Sequence, residues 1–214
     1  MNSEVTRGSA IIVCVPRAMP RDQLTTTEYA LLGMLARYGE HSGYELLNLA
    51  ETGIGFFWSP AKSHVYAVLP RLESGAHARR RLVHQTGKPD KHLWRITARG
   101  RAALRAWINT IDSDPLDNAG VLLLKLFFGA HGDPEPLIAH VDRYREQASE
   151  KLRLLRAIEE AEPDPRSAKD ELPLITLRQG LGVLEADVRW AEGVLPELRA
   201  RLATQADRSV AGVQ

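Results

Sequence analysis

Apolar positions recur at helical spacing early in the chain, between clear helix start and stop signals. Residues 25–28 (Thr-Thr-Thr-Glu) and 42–45 (Ser-Gly-Tyr-Glu) each have the pattern of a capping box, in which a hydroxyl and a carboxylate satisfy free N–H groups at a helix start. Apolar residues follow each box at intervals of three and four, and Gly39 and then Gly53 with Gly55 provide the ends. The pattern predicts two short helices.

A third helix is predicted to begin at Ser59-Pro60, where serine would be the N-cap and proline would occupy the first turn. Its apolar stripe ends at Gly75. Pro70 lies inside that stripe and predicts either a bend or the start of the last turn, because proline lacks the N–H that a helix uses.

Two extended runs follow, at residues 76–84 and 91–97, around a segment rich in turn formers. They predict a two-stranded hairpin with a basic tip, which must pack on the helices because an isolated hairpin is only marginally stable. Thr97 is then placed to cap a fourth helix.

Three further helices are predicted in the second half of the chain. Residues 121–128 are nearly all apolar, and residues 135–160 repeat apolar positions at helical spacing. A linker containing prolines is predicted at residues 162–173. From Leu174 onward, apolar residues alternate at intervals of three and four, which is the a/d seam of a coiled coil.

Two interpretations of this seam stay open: it joins two copies of the chain, or it packs inside one subunit. Gly180, Gly182, Gly193 and Pro196 weaken it as an independent coiled coil. Self-association is favoured, because two long amphipathic helices have little core of their own in so short a tail. The predicted dimer interface consists of Leu177, Leu181, Leu184, Val188, Leu195 and Leu198.

Residues 1–22 show no sustained period and are predicted to be a flexible arm, within which Met19 is a second candidate start of translation. The apolar patch at residues 10–15 is shorter than the ~7–15 residues of a signal peptide core, and no stretch approaches the ~18 of a membrane span. Cys14 is the single cysteine, which excludes an internal disulfide and a cysteine-based zinc site. These features predict a cytoplasmic protein that does not enter a membrane.

Charge is divided unevenly along the chain, although the formal net charge is +1. Residues 21–109 carry 13 basic and 7 acidic residues, a net +6, whereas residues 110–214 carry 13 basic and 19 acidic residues, a net −6. Five of the seven histidines also lie in the basic part. This division suggests that one half meets a polyanion, with a chance distribution as the alternative.

The predicted order of three helices and a hairpin is that of a winged helix-turn-helix. In such a module the third helix enters the DNA major groove, and the hairpin, or wing, places cations beside the phosphates. Strand alternation puts Arg79 and Arg81 on one face and Arg80 on the other. The candidate DNA-binding residues are Thr25, Ser42, Tyr44, Ser59, Lys62, Ser63, His64, Tyr66, Arg79, Arg80, Arg81, Lys88 and Lys91.

Several segments, in this order, resemble the PadR-type transcriptional regulators. The segments of the basic half that carry the resemblance are residues 27–35, 42–46, 56–58, 63–66, 69–73 and 94–100. Residues 122–128, the two long helices and Trp190 resemble the C-terminal domain of the longer, virulence-activator-like branch. The family often has Leu-Val where Ala76-His77 follow Gly75, and this departure leaves the register of the first wing strand open.

The resemblance implies a homodimeric regulator, usually a repressor that a small molecule releases from DNA, with no cofactor and no metal. The expected fold is mainly α with a small β-hairpin wing, an N-terminal winged helix-turn-helix joined to a C-terminal antiparallel helical dimerisation domain. The predicted organisation is an arm at residues 1–22, a DNA-binding domain at residues 23–111 and the dimerisation domain at residues 112–214.

Other kinds of chemistry have little support in the sequence. No glycine-rich phosphate loop, His-Glu-x-x-His motif or nucleophile elbow is found, so no enzyme, catalytic residue or metal site is predicted. Trp107, Phe127 and Phe128 are candidates for an apolar pocket that takes a flat aromatic effector, with ordinary core packing as the alternative. A protein-interaction adaptor, which would use the winged module and the amphipathic C-terminal helices, is the alternative function.

Overall fold

The computed structural model describes residues 24–85, 90–161 and 171–211, with residues 171 and 202–211 as backbone alone. Within these residues the fold is mainly helical, as predicted, with one two-stranded antiparallel hairpin. No helix in this part of the chain is both long enough and apolar enough to cross a membrane. The elements are α1 (Thr26–Tyr38), α2 (Gly43–Gly53), α3 (Lys62–Ser74), β1 (Ala78–Val83), β2 (Lys91–Ile96), α4 (Ala98–Asn109), α5 (Ala119–Phe127), a 3-10 turn (Gly129–His131), α6 (Pro134–Ala161) and α7 (Glu171–Ala211).

Both predicted capping boxes are present. Oε2 of Glu28 accepts a hydrogen bond from the backbone N–H of Thr25 at 2.7 Å, and Oε2 of Glu45 accepts one from the N–H of Ser42 at 2.7 Å. Each hydroxyl oxygen in turn accepts from the N–H of its glutamate at 3.3 Å. Thr97 caps α4 as expected, through the N–H of Gly100 at 3.0 Å. Each such cap stabilises a helix start by about 1 kcal/mol. The three helix starts are therefore predictable from the local sequence.

The start of α3 differs from the prediction. The helix begins at Lys62 with Ala61 as its N-cap and no side-chain hydrogen bond at that end, so the predicted Ser59-Pro60 cap is wrong. The N–H of Trp58 closes a turn onto the end of α2 at 2.8 Å, and a residue that precedes proline is biased towards an extended backbone. The chain therefore stays extended until Ala61.

The predicted helix ends are found where glycine occurs. Gly39 follows α1 with a φ of 87°, a left-handed conformation that glycine adopts without a steric penalty. α2 ends at Gly53, and Gly75 follows α3. Pro70 lies inside α3, and the helix continues past it to Ser74.

The wing rests on the helices through a bridge to the loop between α1 and α2. Ala78 pairs with Ile96 and Val83 with Lys91, which settles the register of β1. The N–H of His41 donates to the carbonyl of Trp94 at 3.1 Å, and the N–H of Trp94 donates to the carbonyl of His41 at 2.8 Å. The base of the wing is thereby joined to the segment that precedes α2.

The main core extends beyond the winged module. Leu124 and Phe128 at the end of α5, together with Leu137 of α6, belong to the same buried cluster as the apolar residues of α1–α4. Phe128 is fully buried, and a Cβ built on Gly33 of α1 would lie 2.5 Å from its ring. Only glycine fits at position 33 without movement of that ring.

α6 and α7 pack along each other and form two smaller clusters. Ala148 and Leu152 of α6 pack with Leu181 and Leu184 of α7. Further along the pair, the second cluster contains Leu122, Val141, Tyr144, Ala191 and Leu195. The heptad seam of α7 therefore faces α6 of the same chain.

The residues predicted for a dimer interface thus lie inside one subunit. Leu181, Leu184 and Leu195 are at most 7% exposed. The other three, Leu177, Val188 and Leu198, are partly buried against the same clusters. The seam therefore packs inside one subunit, which the sequence favoured less than self-association. It can do so because the 28 residues of α6 are enough to cover it. The predicted linker also ends early, since α7 begins at Glu171.

Candidate nucleic-acid interface

The exposed side of α3 holds the residues predicted to approach DNA bases. Val65 and Leu69, four residues apart, face the core at 1% exposure. The exposed positions of the first turns are Lys62, Ser63, His64 and Tyr66. Among the described residues Lys62 has no hydrogen-bond or ion-pair partner, and no side chain caps the first N–H groups of the helix. The positive end of α3 is therefore open to solvent.

Tyr44 of α2 stands next to α3, 63% exposed. It lines a shallow cleft of about 140 Å³ together with Ser59 and Lys62. It also lines a larger groove of about 710 Å³ between α2, α3 and the wing, with Tyr66 on the other side. The structure thus brings together Tyr44, Ser59 and the start of α3, as the DNA-binding hypothesis requires.

Thr25 and Ser42 differ from the other predicted contact residues because their hydroxyl groups are already used. The Thr25 hydroxyl donates to Glu28 Oε2 at 2.9 Å, and the Ser42 hydroxyl donates to Glu45 Oε2 at 2.8 Å. A phosphate would have to displace a carboxylate to reach either group. The hydroxyl groups of both residues therefore cap helices, and this is the role that the structure shows for them.

β1 carries three consecutive arginines. The register sets Arg80 opposite Trp94, with the Arg80 guanidinium 5.8 Å from the centre of the indole ring. Arg79 lies opposite Arg95, and both side chains are exposed. The strand therefore alternates its arginines between two faces, as predicted from the sequence. Lys88 lies outside the described residues.

Three wing cations form ion pairs with carboxylates of the helical part. The pairs are Arg80–Glu73 at 3.4 Å, Arg81–Glu40 at 2.5 Å and Lys91–Glu45 at 3.1 Å. All three pairs are partly exposed, so solvent screens them and each contributes little to stability. These pairs are not predictable from the sequence, since Arg81 and Lys91 lie 41 and 46 residues from their partners and no local pattern connects them.

The ion pairs also set the protonation of the carboxylates. The backbone N–H of Ser42, its hydroxyl and then Lys91 lower the pKa of Glu45 to about 2. The hydrogen bond from Arg81 lowers the pKa of Glu40. Both groups are therefore negatively charged at neutral pH.

The three aromatic residues predicted to share an effector pocket do not meet in one cavity. Phe128 is fully buried in the core, so it is not available to a ligand. Phe127 lines a cleft of about 1000 Å³ between the α2–α3 loop, α5 and α7. Trp107 lines a separate cavity of about 340 Å³ and stacks on Tyr29, with ring centres 4.7 Å apart. Phe128 is thus corrected to a core residue, and within the described part of the chain Trp107 and Phe127 line two different cavities.

A buried polar cluster lies beside the Trp107 cavity. Lys125 is fully buried, and its Nζ donates to the carbonyl of Thr110 at 2.6 Å and to Asp112 Oδ2 at 3.1 Å. Burial lowers its pKa. Asp112 Oδ2 is also 3.4 Å from His140 Nε2, and burial together with Lys125 lowers the pKa of that histidine to about 4. Lys125 could have been noticed in the sequence as the one charged residue in an apolar run.

Within the described part of the chain, no group of three or more histidine, cysteine or acidic side chains is arranged to hold a metal ion. Residues 31–106 match the family described as transcriptional regulator PadR-like, and residues 121–199 match the virulence activator alpha C-terminal domain. The probable transcriptional regulator Rv1176c of Mycobacterium tuberculosis is 30% identical over 172 residues, which cover 75% of this chain and 91% of that protein. The chain belongs to the PadR-like family of transcriptional regulators.

This PadR-like chain is also similar to proteins of Bacillus subtilis. The negative transcriptional regulator PadR is 31% identical over 101 residues, which cover 47% of this chain and 55% of that protein. Its crystal structure in complex with operator DNA covers 81% of this chain and 99% of that chain, at 24% identity and a TM-score of 0.38. A second structure, in complex with p-coumaric acid, covers 81% and 96%, at 24% identity and a TM-score of 0.34.

Proposed function

We propose that this PadR-like regulator binds double-stranded DNA through α3 and the wing, and that it represses transcription. The start of α3 carries the proposal, because Lys62 stands there without a partner among the described residues and His64 is exposed beside it. Both side chains can donate hydrogen bonds to base edges or phosphates. The small side chain of Ser63 allows close approach to the major groove.

The relatives support the direction of regulation. The Bacillus subtilis relative is named a negative regulator and has been solved on operator DNA. We propose the same kind of partner for this chain, and the cytoplasm as its location because its target is chromosomal DNA. No catalytic role, cofactor or metal forms part of the proposal.

The test is binding of the purified protein to the duplex upstream of its own gene, at two salt concentrations. We expect sequence-dependent binding that weakens steeply with salt, because cations on the protein displace counterions from phosphates. An unrelated duplex of the same length is the control. Weak binding that is equal on both duplexes would contradict the proposal and favour the adaptor function.

We propose the division of the chain into an arm at residues 1–22, a DNA-binding domain at residues 23–111 and a dimerisation domain at residues 112–214. The charge difference between the two halves supports it. The shared core around Phe128 means that α5 belongs structurally to both domains.

The side of α7 turned away from α6 is the proposed dimer interface. Leu172, Ile175 and Val183 are exposed there, between 47% and 74%. A Cβ built on Gly182 or Gly193 would meet none of the described atoms within 4 Å. Exposed apolar residues and glycines on one helix face favour a closely packed second helix, and a second copy of the chain supplies one. The homodimer thus stays in the proposal, with a different face from the one predicted.

An effector site is proposed in the cavity lined by Tyr29 and Trp107. Its volume of about 340 Å³ suits a small molecule, and its stacked aromatic rings suit a planar one. The relative solved with p-coumaric acid supports an aromatic effector. The test is quenching of tryptophan fluorescence by planar phenolic compounds, compared between the wild type and Trp107→Phe.

A further inference from the structure

The wing cations fall into two groups. Arg80, Arg81 and Lys91 are each paired with a carboxylate, whereas the exposed Arg79 has no ion pair within the described residues. The three carboxylates come from different parts of the helical body: Glu40 from the α1–α2 loop, Glu45 from α2 and Glu73 from α3. Arg80 meets Glu73 on one face of the hairpin, whereas Arg81 and Lys91 meet Glu40 and Glu45 on the other, so the helical body holds cations on both faces of the wing.

Carboxylate and phosphate compete for the same donors. The Arg81–Glu40 pair is bidentate, with Nε and Nη2 at 3.3 and 2.5 Å from the two carboxylate oxygens, which is the geometry that a phosphate would also use. Because the pair is exposed to water and salt, it breaks at little cost. A wing cation can thus exchange its carboxylate for a phosphate when the duplex is close and correctly placed.

We infer that Glu40, Glu45 and Glu73 are specificity-determining residues, which keep the wing cations paired until α3 is seated in the major groove. This inference rests on the proposed DNA binding. DNA of arbitrary sequence, into which α3 does not fit, meets only wing cations such as Arg79 that have no ion pair within the described residues. An operator seats α3, brings its phosphates to the wing and displaces the carboxylates.

Glu40→Gln and Glu45→Gln are the variants that test this inference. A capping box accepts glutamine at the position of Glu45, so Glu45→Gln keeps the start of α2 and removes only the charge that faces Lys91. Glu150→Gln is the matched control, because Glu150 is an exposed carboxylate of α6 that forms no ion pair within the described residues. Each variant is titrated on an operator duplex and on a random duplex across a range of salt concentrations.

We expect each test variant to bind random DNA about threefold to tenfold more tightly at low salt. The plot of log affinity against log salt on random DNA should become steeper by ~0.9 for each released cation that reaches a phosphate. The slope on the operator should not change, and Glu150→Gln should change neither slope. In an Arg81→Gln background, Glu40→Gln should have no further effect, because it acts through that arginine.

Two results would overturn the inference and leave DNA binding intact: unchanged random-DNA slopes in both test variants, or an equal increase in Glu150→Gln. The latter would indicate a general effect of charge. If the wild type binds no duplex at low salt, the proposed function and this inference are both wrong. Thermal unfolding of each variant shows whether the fold is retained.

Discussion

Lys62 is the residue on which the proposed DNA contact depends most directly, since it is exposed at the start of α3 and has no partner among the residues that the structure describes. We expect Lys62→Ala to weaken operator binding about tenfold, because a hydrogen bond from a charged group contributes about 1.5–3 kcal/mol. Lys151→Ala, at an exposed position of α6, is the control. Unchanged affinity in a competition titration would mean that α3 is not the recognition helix.

Gly33 tests the packing of α5 against the winged module. We expect Gly33→Ala to lower the free energy of unfolding by about 1–3 kcal/mol, because its Cβ would lie 2.5 Å from the Phe128 ring. Gly53→Ala is the control, since its nearest neighbour would be Tyr38 Oη at an ordinary 3.6 Å. Urea unfolding measures both, and equal stability of the two variants would contradict the packing described here.

His140 makes stability depend on pH. Its pKa of about 4 lies below the ordinary 6.5, so the unfolded chain binds more protons between these values and stability is lost as pH falls through that window. The loss is on the order of 3 kcal/mol. We expect His140→Leu to reduce the dependence between pH 6.5 and 4, measured by urea unfolding. The variant should still show some pH dependence of stability, because burial also lowers the pKa values of His77 and His131.

At this scale the sequence is informative where a signal is local. The capping residues Thr25 and Ser42 were predicted because partners three residues away are enough to form the motif. Ser59 has the same chemistry, but the fold of the preceding turn decides that it does not start a helix. The pairing of Lys125 with Asp112, and of the wing cations with their carboxylates, depends on tertiary contacts that no sequence spacing records.

Among the elements, α7 has two apolar sides in different surroundings. One side packs on α6, whereas the opposite side is exposed. Periodicity identified the first side correctly as a seam, but spacing alone does not tell whether a helix of the same chain or of a second chain covers it. The glycines that weakened the predicted coiled coil lie partly on the exposed side.

Substitutions on the two sides of α7 should have different effects on the dimer and on the fold. We expect Ile175→Asp to dissociate the dimer while the fold is retained, because the side chain is 59% exposed in one subunit. Leu184→Asp should instead unfold the α6–α7 pair, since Leu184 is 6% exposed. Leu154→Asp, on α6 and 61% exposed, is the control that stays dimeric. Sedimentation and circular dichroism measure the outcome, and a dimeric Ile175→Asp would contradict the proposed interface.

The whole molecule combines a basic winged half with an acidic helical half, which orients the protein on a polyanion. A two-fold dimer would present two α3 helices to half-sites about one helical turn apart, ~10 bp. We expect insertion of ~5 bp between the half-sites to abolish tight binding, because the second half-site then faces away. Insertion of ~10 bp returns it to the same face. Equal affinity for both duplexes in a mobility-shift titration would contradict a rigid dimer.

The contact between Phe128 and Gly33 has a consequence for exchanging parts between relatives. A winged module cut from this chain at residue 111 would carry an empty niche at the middle of its first helix. A tail grafted from another regulator would fit only if it supplied an aromatic ring of the same size at the end of its first helix. The DNA-binding half therefore cannot be exchanged as a separate domain. A suitable boundary for domain exchange lies after residue 128, inside the region that the sequence assigned to the C-terminal domain.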